Sequence, residues 1–179
     1  RTTLQAALYG MRKDEFIFLD TSRANVDNGK TKHRGLELEW RYAATETLTI
    51  IGAGTVARHT YSNDPALART PVSGNLIDTS PKTMGSVSLD WQLGERFSQQ
   101  ITWTHMGRYY TDPANTNEYP GHDLIHWHGQ FDLNEDLTLF FRVHNLTDVA
   151  YAERADFAFG SERYFVGLPR SFYIGFRFN

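Results

Sequence analysis

Cysteine is missing from all 179 residues, which excludes a disulfide framework and any thiolate metal site. Long apolar runs are missing as well. Stretches such as FIFL at 16–19 fall far short of the roughly 18 consecutive apolar residues of a membrane helix. There is no block of Lys or Arg, and a net charge of -3 with a pI near 6.2 leaves no electrostatic footprint for nucleic acid. Catalytic signatures are absent too: no GxSxG, HExxH, phosphate-binding loop or GxGxxG occurs. The GAG at 52–54 sits inside a strand pattern with no helix after it, so it is expected to make room for a close neighbour. No catalytic residue, resident metal or cofactor is expected. The chain opens Arg1-Thr-Thr-Leu, with neither Met nor a signal peptide, and is read as a fragment or a processed C-terminal piece.

What is present is alternation. In HRGLELEWRY, Leu36, Leu38, Trp40 and Tyr42 alternate with Gly35, Glu37, Glu39 and Arg41. A helix would scatter those charges over both faces, so the segment is a strand. LTIIGAGTV follows after a short turn. MGSVSLDWQL, with Val87, Leu89, Trp91 and Leu93 on one face, precedes FSQQITW, and HDLIHWHGQFDL precedes LTLFFRV. The chain ends in a strand with Phe172, Ile174, Phe176 and Phe178 on one side. With an opening strand near 3–20, about eight strands are expected.

Register tests this, because a slip of one residue would move every side chain to the wrong face. Pairing Leu133 with Leu137 places Phe131 opposite Leu139, Trp127 opposite Val143, His126 opposite His144 and His128 opposite Arg142. Trp40 is expected opposite Ile50, and Leu89 opposite Ile101. Short turns at 43–47, 94–96 and 134–136 alternate with long polar loops at 21–30, 62–80, 111–121 and 153–167. That asymmetry implies an all-β fold, a transmembrane antiparallel up-and-down β-barrel whose long loops share one end. The mean hydropathy of -0.49 does not oppose it, since a barrel strand needs apolar residues only at alternate positions. Trp40, Tyr42 and Trp91 near the short turns, and Tyr61, Tyr109, Tyr110 and Tyr151 near the long loops, are expected to form interfacial girdles. A soluble antiparallel sandwich or lipocalin-like barrel also alternates, but it accounts less readily for the unequal loops.

HNLTDVAYAERADF at 144–157 and GSERYFVGLPRSFYIGFRFN at 160–179 resemble the closing segment of TonB-dependent outer-membrane receptors. KTKHRGLELEW at 30–40 is similar to another recurrent piece of that family. The resemblance implies that residues 1–179 are the C-terminal portion of a 22-stranded barrel with a plugged lumen, without the N-terminal plug or the TonB box. It implies TonB-energised uptake of a scarce nutrient such as an iron chelate, and a location in the bacterial outer membrane. Family members commonly end on an aromatic residue, whereas here Asn179 follows Phe178. The partners implied are outer-membrane lipid, the barrel-assembly machinery, the TonB complex through the absent N-terminal region, and a small iron chelate. Phe172, Ile174, Phe176 and Phe178 resemble the signal read by the assembly machinery.

Candidate ligand contacts follow from the register and the loops. His126, His128, Arg142 and His144 would point into the lumen, where a histidine pair can meet a ferric complex. Arg142 beside His128 disfavours a bare cation, and solvated lumen residues are the plainer reading. Arg108, Arg154 and Arg163, with Tyr110 and Tyr164 nearby, suit an anionic chelate held by guanidinium groups and aromatic walls. Two other readings stand beside uptake: a self-contained eight-stranded barrel with a structural or adhesion role, in which the first and last strands pair, and an outer-membrane barrel enzyme.

Overall fold

A computed structural model describes residues 1–178; Asn179, the residue after the terminal aromatic row, lies outside them. In chain order the strands are β1 (Thr2–Leu19), β2 (Asn25–Ala43), β3 (Leu48–Tyr61), β4 (Thr83–Leu93), β5 (Phe97–Met106), β6 (Tyr109–Tyr110), β7 (Glu118–Tyr119), β8 (His122–Asp132), β9 (Leu137–His144), β10 (Ala152–Ala158), β11 (Ser161–Val166) and β12 (Ser171–Phe178). Eight of them form one antiparallel meander in the order β1-β2-β3-β4-β5-β8-β9-β12. β6 and β7, and β10 and β11, form two small separate hairpins. Among the described residues β1 and β12 are opposite edges of the sheet and do not pair. The self-contained eight-stranded closure therefore does not form.

One apolar face runs the whole width. Tyr42, Ile50, Leu89, Ile101, Trp127, Val143 and Phe172 follow one another as directly paired residues from β2 to β12. Most of this face is open: Leu8 is 84% exposed and Ile174 77%, while Val143, set between Trp127 and Phe172, is buried. A row of large apolar residues this open is the lipid-facing surface of a membrane sheet, where hydrocarbon replaces a protein core. The opposite face carries Arg41, Ile51, Ser88, Thr102 and His126 in one row and Thr49, Asp90, Gln100, His128 and Arg142 in the next, mostly polar. Two of these neighbours bond side chain to side chain, Ser88 Oγ to Thr102 Oγ1 at 2.9 Å and Gln100 Nε2 to Asp90 Oδ1 at 2.7 Å.

Registry also gives the tilt. The Tyr42 row crosses the three short hairpins at four, six and eight residues from the turn centres, reading β2–β3, β4–β5, then β8–β9. That is a stagger of one residue per strand. With a rise of about 3.3 Å and a strand spacing of about 4.8 Å, the strands lean by about 35°, within the range of membrane barrels.

Leu89 opposite Ile101, Trp127 opposite Val143 and His128 opposite Arg142 form as expected. Trp40 instead faces Gly52, while Tyr42 takes Ile50. The shift is two residues, so it preserves both faces, which is why alternation alone does not detect it. Its cause is steric. A Cβ at Gly52 would lie 2.0 Å from the Trp40 ring, so the indole occupies the space that glycine leaves.

The loops differ more. The expected loop at 21–30 is mostly β2, leaving a connection at 20–24, and those at 111–121 and 153–167 contain β7 and the β10–β11 hairpin. Tyr61 and Tyr109 are not girdle residues, since both are almost fully buried in cores formed by the loops. The two cores are Tyr61, Leu67 and Val72, and Tyr109, Tyr119, Ala152 and Ala155. The protein's interior thus lies among its outer loops rather than beneath its sheet.

The two halves of the closing motif clasp each other. Asn145, fully buried, accepts from Val149 N at 3.0 Å and donates to Val149 O at 2.9 Å and Leu168 O at 3.3 Å. Asp148 accepts from Arg170 N at 3.1 Å and from its guanidinium at 3.2 Å. The clasp fixes where β12 begins, and hence its register on β9. Asn145→Ala orphans these buried groups and is expected to cost about 1–3 kcal/mol. Urea unfolding of the receptor in micelles would read it, and Asn145→Asp, which replaces the Nδ2 donor with a buried anionic oxygen facing Val149 O and Leu168 O, should cost at least as much.

Candidate functional site

Four connections meet at the long-loop end of the sheet. Phe159 N donates to Thr21 O at 2.8 Å, joining the β10–β11 hairpin to the β1–β2 connection. Phe157 N donates to Thr111 O at 2.9 Å, and Thr79 N donates to Tyr110 O at 2.7 Å, which joins that hairpin to the β5–β8 and β3–β4 loops in turn. The Tyr109 hydroxyl accepts from Ala155 N at 2.7 Å, and the Tyr119 hydroxyl accepts from Ala152 N at 3.0 Å. These loops form one packed cap across the end of the sheet. β1 and β12 are at opposite edges, so the hairpin that precedes β12 reaches back across to the turn that follows β1.

The hairpin turns tightly at Phe159-Gly160, with φ of 53° and 79°. Two consecutive positive φ values make the mirror-image turn that matches strand twist. Phenylalanine is an unusual first residue for it, and this hid the hairpin from sequence reading. Gly160 was the one available signal.

At the centre of the cap is Asp156, whose side chain is only 4% exposed. Arg23 Nη2 donates to Oδ2 at 2.6 Å, Arg154 Nη2 lies 2.9 Å from Oδ2, and Arg163 donates through Nε to Oδ1 at 2.7 Å and through Nη2 to Oδ2 at 3.0 Å. Burial alone would raise this carboxyl, but the Arg163 hydrogen bonds and the charges of Arg23 and Arg154 outweigh it and hold the group below the usual range. Three guanidiniums share this one carboxylate. Phe165 lies beneath both Arg154 and Arg163, with the guanidinium carbons 5.8 Å from its ring centre. Nearby, the Tyr61 hydroxyl donates to the Asp78 carboxylate, and burial pushes that carboxyl up.

Of the sequence candidates, Arg154 and Arg163 come together here, joined by Arg23, which sequence reading missed. Arg108 stands apart, 3.8 Å from Glu118. Tyr110 contributes its backbone carbonyl to the cap, and the Tyr164 hydroxyl donates to Glu162 at 2.5 Å. Below the cap, the rings of His126 and His144 are 4.4 Å apart between centroids. His144 Nε2 lies 3.4 Å from the Tyr151 hydroxyl, and His126 Nδ1 accepts from Asn145 N at 3.3 Å. His128 and Arg142 are directly opposed one row further from the cap. A second histidine contact was also missed: His33 Nδ1 and His59 Nδ1 are 2.8 Å apart, and Met11 is paired opposite His33. Among the described residues no group of three or more His, Asp or Glu is arranged to hold a metal ion. Phe172, Ile174, Phe176 and Phe178 all stand exposed on the lipid-side face of β12, a free edge strand.

The family described as TonB dependent receptor-like, beta-barrel, matches residues 1–146. The ferrichrome outer membrane transporter/phage receptor of Escherichia coli K12 is 25% identical over 155 residues, covering 81% of this chain and 20% of that protein. Among solved structures, the ferric yersiniabactin uptake receptor of Yersinia pestis matches 99% of this chain and 27% of its own, with 19% identity and a TM-score of 0.84. The copper transporter OprC matches 99% and 28%, with 17% identity and a TM-score of 0.72. The chain therefore spans between a fifth and about three tenths of the length of these proteins.

Proposed function

Because the chain belongs to the TonB-dependent receptor β-barrels of the bacterial outer membrane, we propose that it is the C-terminal part of a larger, 22-stranded, plugged receptor for TonB-energised uptake, with a ferric siderophore or similar anionic iron chelate as cargo. The open sheet supports the larger barrel, since β1 and β12 each keep an edge that further strands would pair. The plug and the TonB-contacting segment would belong to the rest of such a receptor. β12, with its four outward apolar residues, would be the strand offered to the assembly machinery by strand addition.

The observation that carries the cargo reading is the guanidinium cluster in the cap, where Arg23, Arg154 and Arg163 share the single carboxylate of Asp156. A planar guanidinium over an aromatic face is suited to the oxygen-rich, negatively charged surface of a ferric chelate. Two of the similar proteins, by name, handle ferrichrome and ferric yersiniabactin. His126 and His144 would line the path beneath. The His33–His59 contact beside Met11 favours a second reading, a bare transition-metal cation such as copper, for which imidazole and thioether are suitable donors.

Uptake separates the two. Cells expressing the full receptor, starved of iron, are given radiolabelled ferric chelates or copper, with and without the Arg154→Gln/Arg163→Gln pair. The chelate reading expects iron accumulation to drop at least tenfold in the variant while copper accumulation stays at background. Copper uptake that is lost in His33→Ala and unchanged in the arginine pair would replace it with the second.

A further inference from the structure

Just beyond the apolar band, toward the long loops, the strand register gathers positive charge on the lipid-side face. Arg34 continues the outward series of Leu36 and Leu38 on β2, and it stands directly opposite Arg58, which continues Val56 on β3. On the same face Arg12 of β1 stands directly opposite Lys32 of β2. Like charges in directly opposed positions destabilise a sheet unless something compensates them. Among the described residues none of the four joins an ion pair, and neither does Asp14, the next carboxylate along β1. No described carboxylate compensates them, which leaves the cluster open to an anionic group from outside the chain.

Its shape is given by a groove of about 570 Å³, with Leu8, Val56 and Leu76 among its walls and Arg34, Arg58 and Lys82 beside them. Leu36 and Val56 are the last apolar pair below the arginines. The guanidiniums sit two residues, about 7 Å, further along the strands, which is headgroup depth above a hydrocarbon layer. An aqueous anion would make no use of the apolar walls, and a lumen ligand would lie on the other face. An amphiphile uses both.

We propose that Arg34 and Arg58, backed by Lys82, Arg12 and Lys32, bind the phosphorylated headgroup of a membrane lipid whose acyl chain lies in this groove. The paired guanidinium forks suit a phosphate bidentately, and the bound phosphate relieves the repulsion between opposed cations. This rests on the placement of the sheet in the membrane and is independent of the cargo.

The test uses the full receptor, delipidated in non-ionic detergent and titrated with phosphatidic acid, phosphatidylcholine or inorganic phosphate, with bound species counted by native mass spectrometry. Phosphatidic acid should bind about thirtyfold more tightly to the native protein than to Arg34→Gln/Arg58→Gln, two surface cations being removed. Phosphatidylcholine should bind weakly to both proteins. Equal binding of phosphatidic acid by the two proteins overturns the proposal. Inorganic phosphate that displaces the lipid at similar concentration overturns the acyl part and leaves an anion site. If the double variant fails to give a heat-modifiable folded band, Arg58→Lys provides the comparison. It keeps the charge and loses the fork, and binding unchanged from native would count against the bidentate contact.

Discussion

Asp156→Asn is expected to unlock the cap while leaving the sheet intact. The substitution keeps the shape but removes the negative charge that holds three guanidiniums together, and uncompensated like charges then push the β10–β11 hairpin away from the β1–β2 connection. Breaking a buried, multiply bonded ion pair by removing one partner is among the costlier single changes a protein suffers. Amide exchange at Phe157 and Phe159, whose hydrogen bonds tie the hairpin to Thr111 and Thr21, should accelerate on the order of a hundredfold. Exchange in β4 and β5 should not change. Equal protection in the variant would mean that backbone bonds and the Tyr109–Tyr119 core hold the cap unaided.

Acid should do the same reversibly. The folded state holds the Asp156 carboxyl below its ordinary value, so its stabilisation is fully present above the unfolded value of about 3.9. It is lost as pH falls through the lower folded value. The part of cap protection that separates the native protein from the Asn variant should therefore be constant from about pH 7 down to about pH 5 and decline only below about pH 4.

Leu89→Arg should be the most damaging change in the sheet. Leu89 lies in the exposed apolar row between Ile50 and Ile101, and a charge on the lipid face near mid-membrane costs about 2–4 kcal/mol. The preceding residue, Ser88, points the other way and bonds Thr102. Ser88→Asn should then cost under about 1 kcal/mol. The two variants differ by one position along the chain and by the whole environment around it. The fraction of receptor running as a heat-modifiable folded band in outer membranes reads both. Comparable losses would mean that the lipid and lumen faces are wrongly assigned.

How much of this was legible beforehand depended on the range of the interactions involved. β2, β4, β8 and β9 could be read from alternation, and the pairings of Leu89 with Ile101 and Trp127 with Val143 from the short turns that join their strands. Trp40 against Gly52 was two residues away from expectation, because the space that selects it is seen only once both strands are in place. The histidine pair at 126 and 144 was found through a local hairpin. The pair at 33 and 59 was not legible, because the expected register of Trp40 opposite Ile50 sets His33 opposite Ala57, two residues short of His59.

The sequence by itself determined the membrane face, the lumen face and the alternation of short and long connections. A period of two is a property of the strand backbone and needs no partner to be read. Only the tertiary structure decided the cap. Arg23 and Asp156 are 133 residues apart, on connections whose strands lie at opposite edges of the sheet. No local pattern encodes that meeting; the curvature of the sheet and the packing of Tyr109, Tyr119 and Ala155 bring it about.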